Sequence, residues 1–196
     1  MKVLLALSRQ VDRISAFVGH VISWLILVAV LVSAGNAAIR KAFDISSNAW
    51  LELQWYLYGV VFLLGAAYTL QRNEHVRIDF VSNMLKKKTR DWIDLLGHIF
   101  FLLPFTCLIV YLSWPWFFRS LETGERSANA GGLILWPAKL MVLLGFLLLT
   151  AQAVSEIIKR IAVIRDMIDD PYPGQHTAEV AANIEAAVGS AHGVQK

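Results

Sequence analysis

Four long apolar runs, separated by short charged stretches, organise this chain. No charged residue stands between Arg13 and Arg40, so residues 14–39 form the first run. The second covers 48–70 and contains Glu52. The third covers 95–118, carries no charge and holds Pro104, and the fourth covers 133–158 and contains Lys139. A helix of about 20 residues crosses the ~30 Å hydrocarbon core of a bilayer, so each run is long enough to span one. The first has residues to spare and room to tilt. Pro104 predicts a kink in the third helix, where bundle neighbours tolerate a lost hydrogen bond. Pro137 falls in the first turn of the fourth, where a missing N–H costs nothing. The pattern predicts an all-α integral membrane protein with four transmembrane helices.

Two shorter elements flank the spans. Leu4, Leu7, Val11 and Ile14 recur at helical spacing, with Arg9, Asp12 and Arg13 on other faces. This spacing predicts an N-terminal interfacial helix over residues 1–15, the alternative being an ordinary basic leader. Beyond Asp170 the chain opens with PYPG and continues in Ala, Gly and polar residues. Such a segment has too little apolar surface to bury, so 161–196 reads as a mobile cytoplasmic tail.

Composition agrees with the pattern. Hydrophobic residues make up 57% of the 196 and charged residues 17%, whereas soluble domains carry about a quarter charged residues. The distribution of Lys and Arg gives an orientation. The N-terminal segment, the 71–94 loop and the start of the tail hold twelve (Lys2, Arg9, Arg13, Arg72, Arg77, Lys86, Lys87, Lys88, Arg90, Lys159, Arg160, Arg165). The two other loops hold four (Arg40, Lys41, Arg119, Arg126). By the positive-inside bias both termini are cytoplasmic. A cleaved signal peptide is not expected, because Arg9, Asp12 and Arg13 follow the short patch VLLALS and no small-residue cleavage site follows the first long run. The formal charge of +3 is too small and too localised to argue for nucleic acid. Cys107 is the only cysteine, which excludes disulfide frameworks, CxxC redox chemistry, thiolate clusters and quinone-linked thiol oxidases within one chain.

Ionisable residues inside spans are functional candidates. Glu52 lies twenty residues from Arg72, and Lys139 twenty from Lys159. Both therefore stand ~30 Å from the cytoplasmic boundary, at the outer edge of the hydrocarbon. Equal depth permits a Glu52–Lys139 ion pair between the second and fourth helices; the alternative is two side chains snorkelling to the outer interface. His20 and His98 sit near the cytoplasmic ends of the first and third spans, which opens a second reading. Two facing imidazoles could hold a b-type haem, making the chain the anchor of a redox complex. An enzyme reading has less to draw on. Glu74, His75 and Asp79 could supply an acid, a base and a metal ligand, but the chain has no HExxH, no GxSxG and no Gly-rich phosphate loop. No catalytic residue and no metal site is expected.

Association features are better represented. Ala29, Ser33 and Ala37 form a small-residue series on one face of the first span, and Gly59 and Ala66 stand two turns apart on the second. Small residues let helix backbones approach closely in lipid, either internally or against a partner. Trp50, Trp114, Trp116 and Trp136 gather at the outer ends, as an interfacial belt or as a docking face. The stretch QRNEHVRIDFV, 71–81, reads as a joint at the cytoplasmic interface. His75 and Arg77 would hold its turn, and Asp79 would cap a short interfacial helix that follows.

Together SSNAWLELQWYLYGVVFLLGAAYTLQRNEHVRIDFV and LILWPAKLMVLLGFLLLTAQ resemble the small membrane (DctQ-like, or Q) subunit of TRAP transporters, over roughly residues 10–160. HVRIDF, 75–80, is similar to the family's His-Val-Arg-Val-Asp motif. The family often has Gly just before it, where this chain has Arg72-Asn73-Glu74. The resemblance implies a non-enzymatic subunit of the bacterial inner membrane that carries no cofactor or substrate site. Its implied partners are a large elevator-type (M) subunit, which holds the substrate and sodium sites, and a periplasmic substrate-binding (P) protein that delivers an organic acid. The WPAKLMVLLGF pattern is closer to members associated with 2-oxo acids or other monocarboxylates than to the sialic acid type. On this reading Trp50, Glu52, Trp136 and Lys139 belong to an outer docking face.

Overall fold

A computed structural model of the chain describes residues 1–44, 47–73 and 87–169. All the regular structure among them is helical: α1 (Lys2–Phe43), α2 (Asn48–Arg72), α3 (Lys87–Gly97), a π-helical turn (His98–Leu102), α4 (Leu103–Thr123) and α5 (Trp136–Ile164). Four helical segments are long and apolar enough to cross a membrane, with α3, the π turn and α4 forming one of them over Lys88–Thr123. The expected joint residues His75, Arg77 and Asp79, and the tail from residue 170 onward, lie outside the described residues.

Helix ends follow the local chemistry. Asp44 takes a left-handed conformation at φ 53° and donates its N–H to the Arg40 carbonyl. Asn73 does the same at φ 57°, donating to the carbonyls of Leu70 and Thr69. Left-handed C-caps favour Gly and then Asn or Asp, whose short polar side chains tolerate positive φ. Asn73 thus supplies the turn that a glycine would supply at this point. At Pro104 the missing N–H and the ring disturb the preceding turn. The disturbance takes the form of the π turn, in which Leu103 N–H reaches back to the His98 carbonyl.

The helix expected over residues 1–15 leads into the first span without a break: α1 runs for 42 residues from Lys2 to Phe43. Its inward face explains the continuity. Ser8, Ser15, Gly19 and Ile22 are buried along it, so the bundle holds this segment as it holds the span.

α5 is the hub of the bundle. It packs against α1, α2, α4 and α3, while α2 also packs against α1. Close approach depends on small residues. A Cβ added at Gly19 would lie 2.5 Å from Cγ of Tyr68, and one at Gly145 would lie 2.9 Å from Cβ and 3.0 Å from the carbonyl oxygen of Leu63. Ala29, Ala67 and Ala153 have no exposed surface. Of the small residues expected to pack, Ala29 is buried, Ser33 and Ala66 are half-buried, Ala37 is exposed, and Gly59 faces open space. α4 meets α5 through Thr106, Ser113, Phe117 and Ser120, all buried, and through the edge-on pair Phe105–Phe146 at 6.1 Å. The bundle exterior is apolar: Trp24, Phe62, Phe101 and Tyr111 are 71–79% exposed, as lipid-facing side chains should be.

Gly145 and Gly59 make a contrast that tests this packing. Gly145→Val has to push α2 off α5 and should destabilise the bundle by about 1–3 kcal/mol. Gly59→Val, with open space around it, should leave the unfolding midpoint in detergent nearly unchanged.

Candidate functional site

Polar side chains gather at the two ends of the bundle. At the end formed by the start of α1 and the finish of α5, a buried network joins the two helices. Gln152 has no exposed surface, and both its amide hydrogens and its oxygen are engaged. Its amide nitrogen donates to Asp12 Oδ1 at 2.8 Å and to Glu156 Oε1 at 3.0 Å, and its oxygen accepts from Ser15 Oγ at 2.8 Å. Lys159 Nζ donates to Asp12 Oδ1 at 3.2 Å and to Glu156 Oε1 at 2.6 Å. Ser155 closes the cluster, sharing a hydrogen bond with Ser8 at 2.7 Å and donating to Asp12 at 3.2 Å.

One position further along, Arg160 ties α5 to α3. Its two terminal nitrogens reach Asp91 Oδ1 at 3.0 Å and Asp94 Oδ2 at 3.1 Å. Buried charges are tolerated only when paired and hydrogen-bonded, and these are. The network is written in the sequence as polar stripes at helical spacing: Ser8, Asp12, Ser15 on one helix and Gln152, Ser155, Glu156, Lys159 on the other. Its signal is easily lost, because Lys159 and Arg160 also count as ordinary interfacial cations and Asp12 as one charge in a basic leader.

The opposite end is organised by Glu52, on the first turns of α2 and buried. Residues 125–135 form a small hairpin, with an isolated bridge between Arg126 and Ile134. Ser127 N–H donates to the Leu133 carbonyl and Leu135 N–H to the Glu125 carbonyl, each at 2.9 Å. Gly124 and Gly131 supply the positive φ that the turn requires, at 58° and 72°. Gly132 has no room for a side chain, since a Cβ there would lie 2.5 Å from that of Ser127. Glu52 reaches into this hairpin and accepts hydrogen bonds from the Ser127 hydroxyl, from Asn129 Nδ2 at 2.8 Å and from the Leu133 N–H at 2.7 Å. Asn48 and Tyr56, on either side of Glu52 along α2, donate to the carbonyls of Ala130 and Ile134.

Lys139 is buried on α5 at the same level. Its ammonium pairs with Glu125 and lies 4.6 Å from the centre of the Trp116 ring on α4. The expected Glu52–Lys139 ion pair is therefore not formed. Both residues reach the same hairpin, which interposes closer partners: three donors for the carboxylate, and a carboxylate and an aromatic face for the ammonium. Trp50 and Trp116 flank this end half-exposed, at 47% and 48%, and Trp136 is more enclosed. Nothing in the spacing of charges shows the hairpin, although Ser127, Asn129, Gly131 and Gly132 are the residues that turns favour.

The histidines are not set face to face. His20 is exposed on α1. His98 is buried in the π turn, with Nδ1 donating to the Asp94 carbonyl at 2.6 Å. α1 and the π turn each pack on α5 rather than on one another, an arrangement that lends the shared-haem alternative no support.

Four membrane-length helices, tied by polar clusters at both ends, define a multi-pass helical membrane protein. The model of the family described as "Tripartite ATP-independent periplasmic transporters, DctQ component" matches residues 29–163. The chain belongs to that family: it is a small membrane subunit of a TRAP transporter, a transport component rather than a member of a known enzyme family. The matched region contains Glu52, the hairpin, Lys139 and the α5 half of the buried network, while Ser8, Asp12 and Ser15 precede it. Comparison with curated proteins and with solved structures gives no match.

Two measurements test the hairpin clamp. The hydrogen bond from Lys139 holds the Glu125 carboxyl below its ordinary value of 4.5. A depressed value means that this contribution is complete above pH 4.5 and is lost as pH falls through the lower folded value. Near-UV circular dichroism, referenced to a Trp116→Phe variant, should show the Trp116 signal constant at neutral pH and collapsing only below pH 4.5. In a double-mutant cycle read by tryptic cleavage at Arg126, Lys139→Met and Glu125→Gln should be strongly coupled. Lys139→Met and Glu52→Gln should act almost independently, and Glu52→Gln alone should speed cleavage by roughly an order of magnitude, because it leaves enclosed donors unpaired.

Proposed function

We propose that this chain is the static scaffold subunit of a TRAP transporter in the bacterial cytoplasmic membrane, with both termini inside. It pairs with a large elevator-type membrane subunit and helps to dock a periplasmic substrate-binding protein. The assembly drives uptake of an organic acid, with sodium and substrate bound by the large subunit. The observation that carries this reading is where the charges inside the spans are spent. Glu52 and Lys139 are both engaged by this chain's own hairpin, so they stiffen the outer end rather than line a route.

An elevator needs a body that keeps its place in the bilayer while another shifts. A bundle clamped by charged networks at both ends and close-packed through Gly19, Gly145 and three buried alanines suits that role. On this orientation the hairpin, with Trp50 and Trp116 beside it, is the part of the chain turned toward a periplasmic partner. The positive-inside distribution of Lys and Arg supports the orientation, and family membership supports the partners.

Affinity purification of the tagged chain from its native membrane in mild detergent, followed by mass spectrometry, tests the reading. A large multi-span membrane protein should accompany it in fixed ratio. Recovery of the chain alone, with transport by the remaining components intact after its deletion, would overturn the scaffold role.

A further inference from the structure

α1 is longer than its role as a span requires. Its 42 residues extend ~63 Å at 1.5 Å per residue, about twice the ~30 Å hydrocarbon thickness. The excess lies at the N-terminal end, before the charge-free stretch that begins at Ile14. Here the helix divides into three faces. Ser8, Asp12 and Ser15 point into the bundle and are engaged by α5. Val3, Leu7 and Ile14 share a second face and are 54–73% exposed. Lys2, Arg9 and Arg13 share a third and are exposed as well.

The charges are sorted by sign. Asp12, the acidic residue of this segment, is turned inward, where it shares the Lys159 ammonium with Glu156, at 3.2 and 2.6 Å. The three cations are turned outward, and none of them makes an ion pair among the described residues. An outward face that is apolar on one flank and cationic on the other matches the boundary between acyl chains and phosphates.

We infer that the first four turns of α1 form a binding surface for anionic phospholipid. Lys2, Arg9 and Arg13 meet the headgroup phosphates, and Val3, Leu7 and Ile14 meet the upper acyl chains. Arg9 and Arg13, one turn apart on an exposed face, carry the electrostatic part. Asp12, between them in sequence, is turned to another face of the helix and is hydrogen-bonded there by Lys159, Gln152 and Ser155. The inference rests on the geometry of α1 and stands independently of the transporter assignment.

The test is native mass spectrometry of the full-length chain in detergent, titrated with phosphatidylglycerol or with phosphatidylcholine of identical acyl chains. The wild-type chain should retain phosphatidylglycerol preferentially. Each basic residue near an anionic surface is worth about fivefold, so R9Q/R13Q should lose about 25-fold of the preference. R9K/R13K should keep it. R40Q/K41Q, at the other end of the same helix, should keep most of it. Equal retention of the two lipids by the wild type, or an equal loss in R40Q/K41Q, would overturn the inference. So would an R9Q/R13Q variant that keeps its lipid preference but no longer co-purifies with a large membrane protein, since a protein partner would then cover this face.

Discussion

The burial of Lys159 and Arg160 constrains everything else in this bundle. A lone ammonium or guanidinium taken out of water costs several kcal/mol, and removing one partner of a buried pair costs about as much. Lys159 can lie on the inner face of α5 only because α1 brings Asp12 and because Glu156 stands one turn away. Arg160 can lie beside it only because α3 brings Asp91 and Asp94. Apolar helix faces slide past one another at little cost, but a helix turned by one residue rotates by about 100° and leaves such a charge without its partner. The ionic network therefore fixes which residue of α1 and of α3 meets which residue of α5. The tight approach at Gly19 is a separate contact, made by α1 against Tyr68 of α2.

The opposite end solves the same problem differently. Among the described residues no cation pairs with Glu52. It is held by hydroxyl, amide and backbone N–H donors from the 125–135 hairpin, while Lys139 takes the hairpin's own carboxylate. The hairpin is thus folded by two charges of opposite sign on two helices that it separates. This makes the α4–α5 connection a structural member, with α2 attached through Glu52 and α5 through Lys139. A short loop with two positive-φ glycines would otherwise have little to order it.

Much of this architecture is legible in the sequence, and what is hidden is hidden for definite reasons. The spans stand out because lipid demands an unbroken apolar exterior, and Trp24, Phe62 and Phe101 are placed accordingly. Pro104 announces an irregular turn, and the π turn appears just before it. Pairing is less legible. Glu52 and Lys139 both reach the 125–135 hairpin, and counting residues is blind to a hairpin that folds between them. The polar stripe on α5 has helical spacing, yet Lys159 and Arg160 are as easily read as interfacial cations. The N-terminal segment shows an amphipathic period without showing that its polar side is complemented by α5. Asn73 shows the converse case, in which a residue other than glycine forms the left-handed cap.

The placement of polar groups also bears on what can move. The charged clusters lie at the ends of the helices, and the level between them is joined by Ala67, Gly145, Leu143 and the Phe105–Phe146 contact. A device that shifts within the membrane needs an interface with two arrangements of similar energy. In this chain any sliding of α1 or α2 over α5 would break charged contacts at one end or the other before the apolar middle gained a new fit. The two ends brace each other, because a rotation that relieved one network would unmake the other. Such a bundle changes position only as a whole.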